Sequence, residues 1–272
     1  MKRTILLIIL FLLLTVLIKA GHCAIISIDP TVTYQTINGW EATAWAGENI
    51  DNPGPTVIDP HPGFDIYIGP LLDMAVNDVG INRIRLSIRS GIENPIDYWM
   101  QYQTGQLPYR DADGVDDPYD SGTLDSWREL RYIWENDDND PYNINWSGFQ
   151  FSELDNRIDK VVTPLKQRIE ANGEHLYINL NMVDFGKGNF GLSSNPEEYA
   201  EFALAAFQHI QSKYGWVPDG LEIALEPHHG TWDATELGNA LVAAAQRLAA
   251  HGYTPDFIAP SHTDAGGSIS WY

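Results

Sequence analysis

Asn195-Pro196-Glu197-Glu198, an apolar-rich run closing at Tyr214-Gly215, and then Leu221-Glu222-Ile223-Ala224-Leu225-Glu226-Pro227 make up the stretch on which the fold turns. Asparagine followed by a first-turn proline and a capping-box glutamate opens a helix, and Gly215 stops it. Residues 221–225 then read as a strand. The same unit recurs on both sides. Downstream, Asp233-Ala234-Thr235-Glu236 is a second capping box, its helix runs through Arg247 to His251, Gly252 ends it, and Phe257-Ile258-Ala259 is a strand. Upstream, a helix from about Glu153 to Ala171 closes in Asn172-Gly173 ahead of a strand from His175 to Leu180, and a helix from Gly69 to Val79, stopped by Gly80, precedes a strand from Ile81 to Ile88. Strands that alternate with helices through short loops specify a parallel sheet with helical cover, so the expected fold is a β/α barrel. A doubly wound open sheet is the alternative. It lacks any G-x-G-x-x-G turn or P-loop lysine, so nucleotide binding has no support.

With a short extended segment from Gln35 to Trp40, the strands at about 36–40, 81–88, 175–180, 221–225 and 257–259 are five of the eight that a (β/α)8 TIM barrel requires. The expected organisation is therefore a signal peptide over residues 1–24 and a TIM-barrel domain over 25–272 that is truncated at its carboxyl end. Met1-Lys2-Arg3-Thr4, the apolar run from Ile5 to Ile18 and the small residues around Ala20 and Ala24 have the order of a secretory signal. The apolar run is short for a membrane span, which needs about 20 residues. Secretion, or delivery to the periplasm or cell surface, is the expected localisation. Cys23 is the sole cysteine, and His22 stands where a lipobox needs a small residue, which disfavours a lipid anchor.

Of the 272 residues, 44% are hydrophobic and 19% charged, enough to build a large core without disulfides. The formal charge of −21 argues against nucleic acid and anionic membranes as partners. Nine Trp and 13 Tyr in an acidic chain suit a carbohydrate cleft, and equally a core. Residues 94–150 break the rhythm with Asp, Tyr, Trp, Pro and Gly and read as a long acidic and aromatic surface loop. Within it, the run from Asp111 to Asp117 invites calcium but fails the EF-hand spacing at Val115 and Asp116. Asn145-Trp146-Ser147 is a glycosylation sequon.

In a β/α barrel, chemistry sits where the strands end, at the carboxyl face. That singles out Glu226, one residue past Leu225 and just ahead of Pro227-His228-His229. Strand parity sets Glu222, Ala224 and Glu226 against Leu221, Ile223 and Leu225, so the apolar trio faces the helices while Glu226 points into the barrel mouth. Glu222 lies about 13 Å from Glu226 at about 3.3 Å per residue and cannot be its catalytic partner. Asp184, Asp264, Glu41 and Glu93 remain conceivable partners. Arg83 and Arg85 share a strand face and either pair with site carboxylates or form buried ion pairs. Trp40 and Trp232 are placed to stack on sugar rings, while Trp216 reads as packing. His228, His229, His262 and Asp264 raise a metal reading, but adjacent histidines chelate poorly, so sugar contacts are preferred and neither a metal nor another cofactor is expected.

Gln35-Thr36-Ile37-Asn38-Gly39-Trp40, Gly80-Ile81-Asn82-Arg83-Ile84-Arg85-Leu86 and Leu221-Glu222-Ile223-Ala224-Leu225-Glu226-Pro227 resemble, in that order, the first, second and fourth strands of clan A glycoside hydrolases, nearest in type to family 30. The resemblance spans roughly residues 30 to 265 and implies a retaining β-glycosidase acting on a poly- or oligosaccharide. It assigns Glu226 the acid/base position and Arg85 the strand-two arginine beside the nucleophile. The nucleophile glutamate itself belongs after a seventh strand, which this chain lacks. Leu225 stands where the family has an asparagine that contacts the substrate, and Asn181, His228 and His229 are candidate replacements. The expected function is a secreted O-glycosyl hydrolase, inactive as this stretch alone. The competing expectation is a non-catalytic carbohydrate-binding protein on a degenerate barrel, of which Leu225 would be a symptom.

Overall fold

The computed structural model describes residues 31, 39–44, 64–104, 106, 130–184, 191–227, 232–263, 266, 269 and 271. The signal peptide, the run from Asp111 to Asp117, and His228, His229 and Asp264 lie outside the described residues. The chain divides into residues 1–38, where only Thr31 is described, and residues 39–272, to which everything below belongs. Among the described residues no helix is long and apolar enough to cross a membrane.

Five strands form one sheet: β1 (Trp40–Thr43), β2 (Ile81–Arg89), β3 (Tyr177–Val183), β4 (Gly220–Glu222) and β5 (Asp256–Ile258). Their order in space is their order in the chain, and all four pairings are parallel. The principal helices are α1 (Phe64–Met74), α2 (Tyr98–Gln103), α3 (Ser152–Arg157), α4 (Thr163–Ala171), α5 (Gly191–Ser194), α6 (Pro196–Tyr214) and α7 (Ala234–Ala250). Crossovers between parallel neighbours are right-handed, so a sequential order puts the connecting helices on one face of the sheet and leaves the other face uncovered by them. This parallel α/β arrangement is consistent with part of a β/α barrel.

The alternation in β2 and β3 builds the two faces. Ile84, Leu86 and Ile88, with Ile178, Leu180 and Met182, are buried in one core cluster with Leu165 and Ile169 of α4, Phe202, Ala203 and Phe207 of α6, and Leu237, Ala240 and Ala244 of α7. The intervening residues Arg83, Arg85, Ser87, Tyr177, Asn179 and Asn181 are polar or aromatic and belong to the opposite face. A π-helical turn, Ile158–Val162, joins α3 to α4 immediately before Pro164. Proline has no N–H to return to the preceding turn, and a widened turn is one way a helix absorbs that loss.

Four local expectations change. The first strand begins at Trp40 rather than ending there. Helix α1 begins at Phe64, five residues before Gly69. The Asn195 side chain does not cap α6; its Nδ2 donates to the Gly191 carbonyl at 2.6 Å, because α5 brings that acceptor within reach. The capping box at Asp233 and Glu236 does form, at 2.8 and 2.9 Å. Finally, residues 94–150 are more than a surface loop: they contain α2, and Trp99, Tyr102 and Phe149 are buried.

Leu180 is 1% exposed at the centre of β3, flanked by strands on both sides. Leu180→Ala should lower the unfolding free energy by about 2–5 kcal/mol, whereas Val242→Ala, on the exposed side of α7, should change it by less than about 0.5 kcal/mol; denaturant titration of the two variants checks this.

Candidate active site

The polar face is held by one connected set of side chains. Arg85 Nε lies 3.6 Å from Glu41 Oε1 and 3.2 Å from Glu222 Oε2, so a single guanidinium joins β1, β2 and β4. Asn179, between them on β3, donates through Nδ2 to Glu222 Oε2 at 2.8 Å. Below this set Arg83 stacks on the Tyr177 ring with its Cζ 3.8 Å from the centroid, and the Tyr177 hydroxyl donates to Asp256 at 3.0 Å, which extends the ladder to β5. Above it Ser87 Oγ donates to Asn181 Oδ1 at 2.9 Å. Arg83 lies 3.9 Å from Glu41. Glu222, the one carboxylate of the set that is fully buried, thus has a guanidinium beside it, as a buried charge requires.

The carboxyl ends of the strands come level above this ladder. Arg89 pairs with Val183, so Ser90 and Asp184 follow at the same height, and Ser90 Oγ donates to Asp184 Oδ1 at 2.9 Å. Leu225 N–H donates to the Met182 carbonyl at 2.9 Å, and Glu226 N–H to the Ser261 carbonyl at 2.8 Å. The main chain thus sets Ser90, Asp184, Glu226 and His262 in one row, Ser90 and Asp184 directly after β2 and β3, and Glu226 and His262 four residues past β4 and β5. Glu226 adopts a left-handed backbone at φ 49°. A residue with a Cβ in that region carries a cost of order 1–3 kcal/mol, and such strain gathers at functional sites. Glu226 and His262 are half-buried, and the His262 ring meets Trp271 edge-to-face at 4.5 Å.

Several expected site residues lie elsewhere. Arg85 is five residues, about 16 Å, below Ser90 in the chain of β2, so it braces the sheet floor instead of lining the rim. Asn181 is three residues, about 10 Å, below Asp184; it is fully buried, and its Nδ2 has no hydrogen-bond partner. Trp40 stands at the amino end of β1, level with Ile81, and is 58% exposed. It therefore sits at the end of the sheet opposite the rim. Trp232 is 6% exposed and packs edge-on against Tyr199 at 5.8 Å. At that burial it offers no exposed platform to a sugar. Of the expected residues within reach of description, Glu226 and His262 remain at the rim.

Ser90 and Asp184 join them. Asp184, conceivable from sequence only as one of four possible partner carboxylates, is 7% exposed, and its Oδ2 has no partner. Burial pushes its carboxyl up to about 7, against a smaller opposing effect of the Ser90 hydrogen bond. Ser90 was legible in principle as the first residue after β2, had that strand been extended through Arg89. Of the other conceivable partners, Asp264 lies outside the described residues, Glu41 is committed to Arg83 and Arg85, and Glu93 to Trp134 Nε1, which donates to it at 2.8 Å. No group of three or more His, Cys, Asp or Glu among the described residues is arranged to hold a metal ion.

No protein-family model matches this chain, and no curated protein matches it in sequence. Among solved structures, a conserved exported protein from Bacteroides fragilis is similar with a TM-score of 0.46 and 12% identity, over 87% of this chain and 46% of that one. The β-glycosidase from the hyperthermophile Thermosphaera aggregans is similar with a TM-score of 0.35 and 13% identity, over 80% of this chain and 52% of that one. This chain spans about half the length of the solved structures it matches.

Because the Asp184 pKa is raised on folding, the native state holds a proton that the unfolded chain releases at about pH 4. Its effect on stability is most favourable below that value and declines as pH rises to about 7. Asp184→Asn should therefore flatten the pH dependence of unfolding between about pH 4 and 7 and raise stability above it, as read from denaturant midpoints across that range.

Proposed function

We propose that this chain belongs to a secreted glycoside hydrolase, a (β/α)8 barrel enzyme that cleaves O-glycosidic bonds of a poly- or oligosaccharide by a two-carboxylate retaining mechanism. The observation that carries the reading is Glu226: a half-buried residue in a left-handed backbone four residues beyond β4, held level with Asp184 and His262 by main-chain hydrogen bonds. Glu226 donates a proton to the departing glycosidic oxygen and then, as its carboxylate, activates the water that releases the sugar.

Retention requires a second carboxylate about 5 to 5.5 Å away. In the family that the motifs resemble, that nucleophile follows a seventh strand, so it comes from β/α units beyond the five found here. Two features support a continued barrel. Among the described residues β1 pairs only with β2 and β5 only with β4, and α1 exposes Ile66, Tyr67, Leu71 and Met74 along one side. A further helix seated there would cover that apolar stripe. The signal-like amino terminus supports secretion, and the acidic charge favours a neutral sugar over a polyanion.

Leu225 favours the second reading, a carbohydrate-binding protein without turnover. It stands in the place of the family's asparagine with its backbone tied to Met182 and Ser261, and Asn181 lies too deep to substitute for it. Assay of the complete reading frame on aryl β-glycosides and β-linked polysaccharides separates the two. The enzyme reading expects hydrolysis with retained anomeric configuration, and a loss of about 10²–10⁴-fold in kcat for Glu226→Gln with the fold intact. Saturable sugar binding with no turnover supports the binding protein, and turnover unaffected by Glu226→Gln contradicts the assignment of Glu226.

A further inference from the structure

Segment 131–145 lies along the residues that follow β2. Gly91 N–H donates to the Arg131 carbonyl at 3.1 Å, Ser90 Oγ to the Tyr132 carbonyl at 2.8 Å, Asn94 Nδ2 to the Ile133 carbonyl at 3.0 Å, and Glu135 N–H to the Glu93 carbonyl at 2.9 Å. The segment therefore borders the rim that carries Ser90 and Asp184. Where it meets α6, the contact is made by acids. Glu93 is fully buried and accepts from Trp134 Nε1 at 2.8 Å and from Asp137 N–H at 3.2 Å. Asp137 accepts from Asn145 N–H at 3.0 Å through Oδ2, while its buried Oδ1 has no hydrogen-bond partner. From α6, Glu198 takes a hydrogen bond from the Asn136 side chain and keeps Oε2 buried without a partner. Glu201, one turn on, is fully buried and stands close enough to Glu198 for the two carboxyls to share a hydrogen bond, which requires a proton on one of them.

The charges that bear most strongly on Glu201 are Asp137, Glu93, Glu198 and Asp138, all of one sign. The guanidinium that reaches this region from α7, Arg247, is engaged by Glu197, by the Pro141 carbonyl and by the Tyr142 ring. Among the described residues no cation is directed at this cluster, and several ionised carboxylates cannot share a buried space without one, so the cluster stays together by holding protons. A protonated carboxyl is also a donor and can satisfy an orphaned oxygen beside it. We propose that Glu93, Asp137, Glu198 and Glu201 form a proton-holding clasp that docks segment 131–145 against α6 and the rim, and that the segment loosens when the cluster ionises. Burial, reinforced by the neighbouring carboxylates, raises Glu201 to about 8; burial likewise raises Glu93 to about 8, against its two hydrogen bonds, and lifts Glu198 and Asp137. Their pKa values fall back towards about 4 when the segment leaves. Docking is thus strongest in acid and weakens as pH rises through about 8.

Hydrogen exchange of the 272-residue chain between pH 5 and 10, corrected for intrinsic rates, tests this. Trp134 fluorescence, isolated from the other tryptophans by comparison with Trp134→Phe, gives a second readout. In the wild type, protection of amides 131–137 should fall at least about tenfold (about 1.4 kcal/mol) around pH 8 while β3 amides 178–182 stay protected. Glu201→Gln, neutral at every pH, should move that midpoint up by about one pH unit or more; Glu198→Gln serves if β3 protection shows that Glu201→Gln is unfolded. A pH-independent segment, or a Gln variant that follows the wild-type curve, overturns the clasp. Restoration of protection at pH 9 by Ca²⁺ and its loss in EDTA also overturns it, in favour of a cation site.

Discussion

A guanidinium held between two carboxylates on different strands is the constraint from which the rest of this structure follows. Arg85 sits on β2, yet it contacts Glu41 on β1 and Glu222 on β4, with β3 lying between β2 and β4. Adjacent strands are about 4.8 Å apart, so β2 and β4 are separated by about 10 Å, and their side chains meet over β3 only by leaning together on that face. Asn179 fills the gap beneath and donates to the same Glu222 oxygen that Arg85 approaches. Removing one partner would leave the fully buried Glu222 carboxylate short of its counter-charge, which is costlier than never having built the pair. The opposite face answers to a different rule. There Ile84, Leu86, Ile178 and Leu180 pack under the helices, and burial alone fixes the register, because a one-residue slip would bring Arg85 and Asn179 into the core.

The regular part of this architecture was written in local signals. The alternation of β2, the capping box at Asp233, and the glycine stops at Gly80, Gly215 and Gly252 are short-range features, and the elements they imply are present; Gly80, Gly215 and Gly252 all have positive φ. What could not be read were places where a tertiary partner outbids a local one. Asn195 has the form of an N-cap, but α5 supplies Gly191 as a nearer acceptor. Residues 94–150 show no period, yet Trp99, Tyr102 and Phe149 are buried, since irregular backbone can still deliver aromatics to a core. The depth of a residue along its strand was the weakest reading. Arg85 was expected at the site from its strand-two motif, Trp40 from its place beside a strand end and Asn181 as a substitute for the missing asparagine, and register puts each well below the row that contains Glu226.

That row lies beyond the ladder, where the strands end. Below it, side chains pair from strand to strand: Arg85 with Glu222, Ser87 with Asn181, Tyr177 with Asp256, although Asn179 Oδ1, Asn181 Nδ2 and Glu222 Oε1 keep no hydrogen bond. The rim is incompletely partnered as well. Asp184 keeps one oxygen without a partner, and Glu226 is held in a backbone conformation that only a functional or structural need justifies. A cross-braced floor beneath a strained rim is the arrangement expected where catalytic groups are positioned by a scaffold. Segment 131–145 borders the same rim through Ser90 and Tyr132, so any change in its docking alters the surroundings of Asp184 directly.

The claim that one inter-strand ion pair organises the polar face is tested most directly by a double-mutant cycle on unfolding free energy, with Arg85→Met, Glu222→Gln and the two combined. Coupling of about 0.5–3 kcal/mol between the substitutions is the predicted result, since each single change strands the other group. Effects that add to within about 0.3–0.5 kcal/mol would mean that Arg85 and Glu222 do not act together, and the ladder would then not be what holds the sheet in this form.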